Sequence, residues 1–255
     1  MKKGFSLVEL SIVIIIIGLL FVGVSAGSTL IEQAKLRKII NEIMEVQRSV
    51  KIFKVAYDYL PGDFPDAGKI WGDACGGDAP AGNGCNGDGD GVVGKYGGAR
   101  FSGYVSETSQ VEYYRFWQHM QLADVIGGSY TGEDAYTPDE PNWHSGDNVY
   151  ESKAFPGILF YVDDVRRWNS SLGDQILWVK SNESYFWWDD PQAVLNPVQT
   201  YNIDKKIDDG LARSGFMHGS SIYYNGGIPG CLYYGNYSLD PTKKCRSYIY
   251  TKNFW

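Results

Sequence analysis

The sequence predicts an α+β protein: a long N-terminal α-helical spine with a C-terminal globular head built on an antiparallel β-sheet. Three observations predict it. Residues 10–31 form an apolar run without a charge. Beyond it, Leu36, Ile39, Ile40, Ile43, Val46, Val50, Phe53 and Tyr57 recur at three- and four-residue steps. The rest is punctuated by Gly, Pro and Asp around short runs rich in β-branched and aromatic residues, as strands are.

The helix comes first. The 22 residues of the apolar run would span roughly 33 Å, enough to cross a bilayer core. Arg37, Lys38, Glu42, Glu45, Gln47, Arg48 and Lys51 lie between the later apolar positions, so the second half is amphipathic. One helix is expected over residues 5–57, stopping before Leu60-Pro61-Gly62. A membrane helix followed by a separate soluble helix is the alternative. Gly18, Gly23 and Gly27 permit either close helix packing or local melting.

Residues 58–104 are rich in Gly, Asp and Pro and read as ordered loop, because Cys75 and Cys85 lie inside. Ser109-x-x-Glu112 predicts a capping box. The helix it opens turns Tyr113, Phe116, Trp117 and Met120 inward and stops at Gly127-Gly128. Residues 155–162, 175–180 and 184–188 read as strands. Asn196-Pro197 predicts a cap and first helical turn, with Gly210 as the terminator after Asp209. From Phe216 aromatic and polar residues alternate, predicting antiparallel strands around Cys231 and Cys245.

Composition limits the function. The net charge is -7, and an acidic chain is a poor nucleic-acid partner through phosphate contacts. Asp163-Asp164, Asp189-Asp190 and Asp208-Asp209 fall at ends of expected elements, where aspartate is ordinary. No nucleophile elbow, zinc-protease helix or phosphate-binding glycine loop occurs. His119, His144 and His218 are scattered and no Cys-x-x-Cys is present, which disfavours zinc. No enzyme is expected. The aromatic clusters Trp187-Trp188 and Tyr233-Tyr234 read as core packing rather than as a sugar or partner surface.

One segment points to a metal. In Asn86-Gly87-Asp88-Gly89-Asp90-Gly91-Val92, oxygen-bearing side chains alternate with glycine. This matches the first half of a calcium loop: Asn86, Asp88 and Asp90 as side-chain ligands, Gly91 for the sharp turn, and the Val92 carbonyl. The position that should supply a bidentate glutamate is Gly97. Asp73, Asp78 or Glu107 would have to complete the shell. A plain Gly/Asp turn is the alternative.

The sharpest signal is Gly4-Phe5-Ser6-Leu7-Val8-Glu9-Leu10. A carboxylate near the start of a membrane-length apolar segment is a costly placement. Glu9 needs a partner, and an amino group freed at Phe5 by cleavage after Gly4 would supply one. The stretch KKGFSLVELSIVIIIIGLL resembles the type IV pilin and type II secretion pseudopilin superfamily. The resemblance implies that a prepilin peptidase cuts after Gly4 and methylates the amine of Phe5, and that Glu9 guides assembly. It divides the chain into a leader (1–4), a transmembrane or filament-core half (5–31), an amphipathic half (32–57) and a head (58–255).

The resemblance further implies a single-pass precursor in a bacterial inner membrane, then a periplasmic or extracellular filament. Its partners would be other pilin-like subunits, the inner-membrane assembly machinery and, before assembly, membrane lipid. A minor tip subunit whose head binds a surface, cargo or carbohydrate is the alternative role. An ordinary membrane anchor, or a secretory signal cut at Val24-Ser25-Ala26, are the competing readings of the segment. Against the latter, Glu9 sits where such a signal is apolar, and the helical pattern continues past Ala26. The segment 201–210, YNIDKKIDDG, and the cysteine-bracketed tail are similar to a head type recurring among prepilin-like proteins. In an exported head, the four cysteines are expected to pair locally, Cys75 with Cys85 and Cys231 with Cys245.

Overall fold

A computed structural model of the chain describes residues 6–75, 85–93, 111–132, 136–137, 140–141, 148–164, 175–181, 195–220, 230–242 and 245–250. Helix α1 runs unbroken over Leu7–Tyr57, 51 residues, or about 76 Å. The two-helix alternative does not form. Gly18, Gly23 and Gly27 have open space around them and the helix passes straight through. Asp58 ends it in the left-handed region (φ 62°), donating its N–H to the Lys54 carbonyl.

The apolar stripe is the face that α1 buries. Leu36, Ile39, Ile40, Ile43, Val46, Val50 and Phe53 are all in the core. Glu42 departs from the pattern: it is 4 % exposed. Its carboxylate accepts from the Ser152 hydroxyl at 2.6 Å and the Lys153 N–H at 2.9 Å. Lys38 Nζ donates to the Lys153 carbonyl at 2.7 Å. A buried carboxylate is tolerable when hydrogen-bonded in this way. The charged residues thus latch the spine to the head.

The loop expected after α1 contains two short helical turns, α2 (Ala67–Trp71) and a 3-10 turn (Gly72–Cys75). They form because Phe64, Trp71 and Tyr57 pack around Phe53. Helix α3 (Val111–Leu122) ends before Gly127-Gly128, where Asp124 turns the chain at φ 56°. Tyr113, Phe116, Trp117 and Met120 are buried as expected. Ser109 lies outside the described residues. Glu112, Arg115, Gln118 and His119 of α3 are buried too. Arg115 and Gln118 both donate to the Cys75 carbonyl, at 2.9 and 2.6 Å, so α3 clamps the first disulfide loop.

The main sheet is antiparallel. Its strands are β3 (Tyr150–Glu151), β4 (Ile158–Asp164), β5 (Gln175–Ser181), β6 (Met217–Ser220) and β9 (Arg246–Tyr250), in the order β3-β4-β5-β9-β6. Two further two-stranded antiparallel sheets are found among the described residues, β1 (Tyr136–Thr137) with β2 (Glu140–Pro141), and β7 (Leu232–Tyr233) with β8 (Asn236–Tyr237). β4 begins later than expected because the chain turns first: Ser152 N–H donates to the Ile158 carbonyl at 2.8 Å. Residues 184–188 lie outside the described residues. Helix α4 (Pro197–Ile207) begins at the expected Asn196 cap, which Gln199 closes into a capping box; it stops at Ile207 rather than at Asp209, with Asp208 as its C-cap, and Gly210 follows at φ 76°.

Cys75–Cys85 and Cys231–Cys245 are both disulfides. Tyr233 and Tyr234 correct the expectation of core packing: they are 64 % and 88 % exposed. Tyr234 and Gly235 both have positive φ, 48° and 85°, the two-residue turn that suits a hairpin. That turn holds the pair out in water.

Candidate functional site

Two places carry the functional expectations. The first is the start of α1. Ser6 caps the helix: its hydroxyl accepts from the Val8 N–H at 3.2 Å. Glu9 closes the box, its Oε2 accepting from the Ser6 N–H at 2.8 Å. Within one chain the Glu9 carboxylate therefore already holds its own helix start, at the end where the helix dipole favours negative charge. Gly4 and Phe5 lie outside the described residues. Beyond Glu9 the apolar side chains are largely exposed: Ile12 is 51 %, Ile17 56 % and Leu30 66 % exposed. This is a helix long and apolar enough to cross a membrane.

The second place is the acidic loop, residues 85–93. Asp88 Oδ1 accepts from the Asp90 N–H at 3.1 Å, and Asp90 Oδ1 from the Val92 N–H at 3.0 Å. Asn86 Oδ1 accepts from the Gly68 N–H at 2.7 Å, which ties the loop to α2. The Asp73 side chain, Asp78 and Glu107 lie outside the described residues. The structure supplies a different third carboxylate. Oxygens of Asp63, Asp88 and Asp90 lie within 4.8 Å of one another. Asp63 is fully buried. Its Oδ2 accepts from the Gly91 N–H at 3.0 Å, while its Oδ1 has no hydrogen-bond donor. Burial pushes this carboxyl up to about 6; the Gly91 amide opposes the shift, and Asp90 and Asp88 add to it.

Backbone contacts hold the loop there. Gly87 N–H donates to the Phe64 carbonyl at 2.9 Å and Gly89 N–H to the Asp63 carbonyl at 3.1 Å. Asp88 N–H donates to Glu112 Oε1 at 3.0 Å. His119 joins the two segments from below. Its Nδ1 accepts from the Gly62 N–H at 2.9 Å, which leaves Nε2 as the donor to the Cys85 carbonyl at 2.8 Å. Only a neutral imidazole makes both bonds. Burial lowers His119 to about 3, against the Cys85 carbonyl and with help from the Arg115 charge.

A pH dependence follows. The unfolded histidine takes a proton below its ordinary value of 6.5, and the folded one does not until about 3. Stability from His119 is therefore fully present above 6.5 and is lost as pH falls towards 3, by up to about 1.4 kcal/mol per pH unit. Buried Asp63 and Asp204, both pushed up to about 6, work in the opposite sense between their ordinary value and 6. Comparison with His119→Asn isolates the histidine. The stability gap between wild type and variant is expected to narrow from pH 7 to pH 4 in denaturant titrations; a constant gap would contradict it.

A second acidic group, Asp204, Asp208 and Asp209, is built differently. Asp204 accepts from the Gly210 N–H at 3.1 Å and the Tyr237 hydroxyl at 2.8 Å. Asp209 accepts from the Leu211 N–H and the Ser214 hydroxyl, and Asp208 Oδ2 from the Phe216 and Met217 N–H groups. These carboxylates organise the turn after α4.

No protein-family model, curated protein or solved structure matches this chain. The geometry and the sequence motifs therefore carry the assignment. Asp63 is the site residue that sequence reasoning missed. It follows a proline-glycine turn, where aspartate is commonplace, and stands well before the loop in sequence.

Proposed function

We propose that the chain is a structural subunit of a type IV pilus-like or type II secretion pseudopilus filament. One observation supports this reading above others. A single helix has an uncovered apolar first half and a second half packed into an α+β head. The uncovered half lies in the membrane before assembly and against the same half of neighbouring subunits afterwards. Cleavage after Gly4 frees the Phe5 amine, which meets Glu9 of the adjacent subunit. A charge pair in apolar surroundings adds little stability but fixes register. The Ser6–Glu9 cap would then yield, or share the carboxylate, when subunits dock.

N-terminal mass analysis of the mature protein is expected to find methylated Phe5; a start at Gly27 would refute the reading. Glu9→Ala is expected to leave the melting of the head unchanged and to lower filament number at least about tenfold. Normal filament counts would show that the carboxylate is dispensable. The tip-subunit role is separated by abundance: a major subunit dominates sheared filaments.

A further inference from the structure

We propose that Asp63, Asp88 and Asp90 bind one calcium ion that fastens the 85–93 loop to the end of α1. The motif in the loop offers alternating oxygens, but two exposed aspartates alone make an ordinary turn. Asp63 changes this. It is fully buried, belongs to the same cluster of carboxylate oxygens, and keeps one oxygen without a donor. A buried ionised oxygen without a partner is expensive. The contrast is the Asp204 group, where both oxygens of the buried aspartate are taken by protein donors. A cation beside Asp88 and Asp90 supplies what Asp63 lacks, and their exposure gives the ion a path from solvent.

The donor set decides the kind of ion. The cluster is carboxylate only, without His or Cys, which suits a hard divalent cation. A glycine-rich loop that bends freely suits calcium, which accepts six to eight oxygens in flexible geometry, better than magnesium, which demands a near-ideal octahedron. Backbone carbonyls such as that of Val92, and water, complete the shell. The approach of the two segments is built for this. A Cβ on Gly87 would lie 2.3 Å from the Asp63 carbonyl carbon and from the Gly62 oxygen, so glycine alone lets the loop lie against Asp63. The proposal does not depend on filament assembly.

The test uses the full-length protein in detergent micelles, stripped with chelator and titrated with calcium chloride. Calorimetry is expected to show one saturable site. At about 100 times Kd, calcium is expected to raise the thermal midpoint on the order of 5–10 °C. Asp88→Asn and Asp90→Asn are expected to weaken binding at least about tenfold each, because affinity follows ligand charge. Asp63→Asn is expected to melt higher than wild type in chelator, since it removes a buried charge, yet to show no calcium response. Asp209→Asn is expected to bind as wild type. The proposal is overturned by absence of saturable binding at millimolar calcium, or by a calcium response that survives in Asp63→Asn or in the Asp88/Asp90 double variant. Loss of binding in Asp209→Asn, or equal affinity for magnesium, overturns it as well.

Discussion

Alanine at position 87 is expected to detach the 85–93 loop and to destabilise the protein by about 3 kcal/mol, the upper end of overpacking costs. The added methyl would stand 2.3 Å from the Asp63 carbonyl carbon and 2.4 Å from its Cα. Both are backbone atoms, so no side chain can swing aside. The loop must lift, and lifting it breaks the Gly87–Phe64, Gly89–Asp63 and Asp88–Glu112 bonds together. Gly127→Ala is the control: a Cβ there meets nothing within 4 Å, and its effect should stay within about 0.5 kcal/mol. Chemical denaturation of both variants compares them. Equal midpoints would mean that the loop does not lie against Asp63.

Phe53→Ala should be costlier still, about 3–5 kcal/mol, a midpoint drop on the order of 10 °C for a chain of this length. Phe53 is fully buried. Its ring lies 4.5 Å from that of Tyr57 and 6.1 Å from the imidazole of His119, stacked on the latter. Truncation leaves a cavity beneath Trp71 and Phe64, which also contact it, and removes the ring packed against the neutral His119. Near-ultraviolet dichroism should lose part of its aromatic signal alongside the melting change. Val55→Ala, at a position 89 % exposed, should melt like wild type. A Phe53→Ala midpoint equal to wild type would contradict the packing described.

Long, repeated patterns were legible in the sequence, and distant pairings were not. Helix α1 announced itself through an uncharged run and then a three-four spacing, because both halves obey one helical period. Helix α4 did so through Asn196-Pro197, whose cap is purely local. Helix α2 carried no such mark. Five residues are too few for a period, and they are helical because Trp71 joins the cluster around Phe53. Glu42 looked like a solvent-facing charge until Ser152 and Lys153 closed over it. The motif around Asp88 and Asp90 was visible, but its third carboxylate was not. Asp63 reaches them through the Gly62–His119–Cys85 bridge, a contact made by folding alone.

The continuity of α1 also sets a direction. Nothing interrupts the rod between Leu7 and Tyr57, so the apolar half and the head share one rotational phase. Each residue inserted near Gly23 would turn the head by about 100° about the rod and raise it by about 1.5 Å. The insertion would leave the head's own packing untouched. Residue count in the bare stretch is therefore a dial for azimuth, deciding which flank of the head, the exposed Tyr233-Tyr234 hairpin among them, faces any neighbour held by the apolar half.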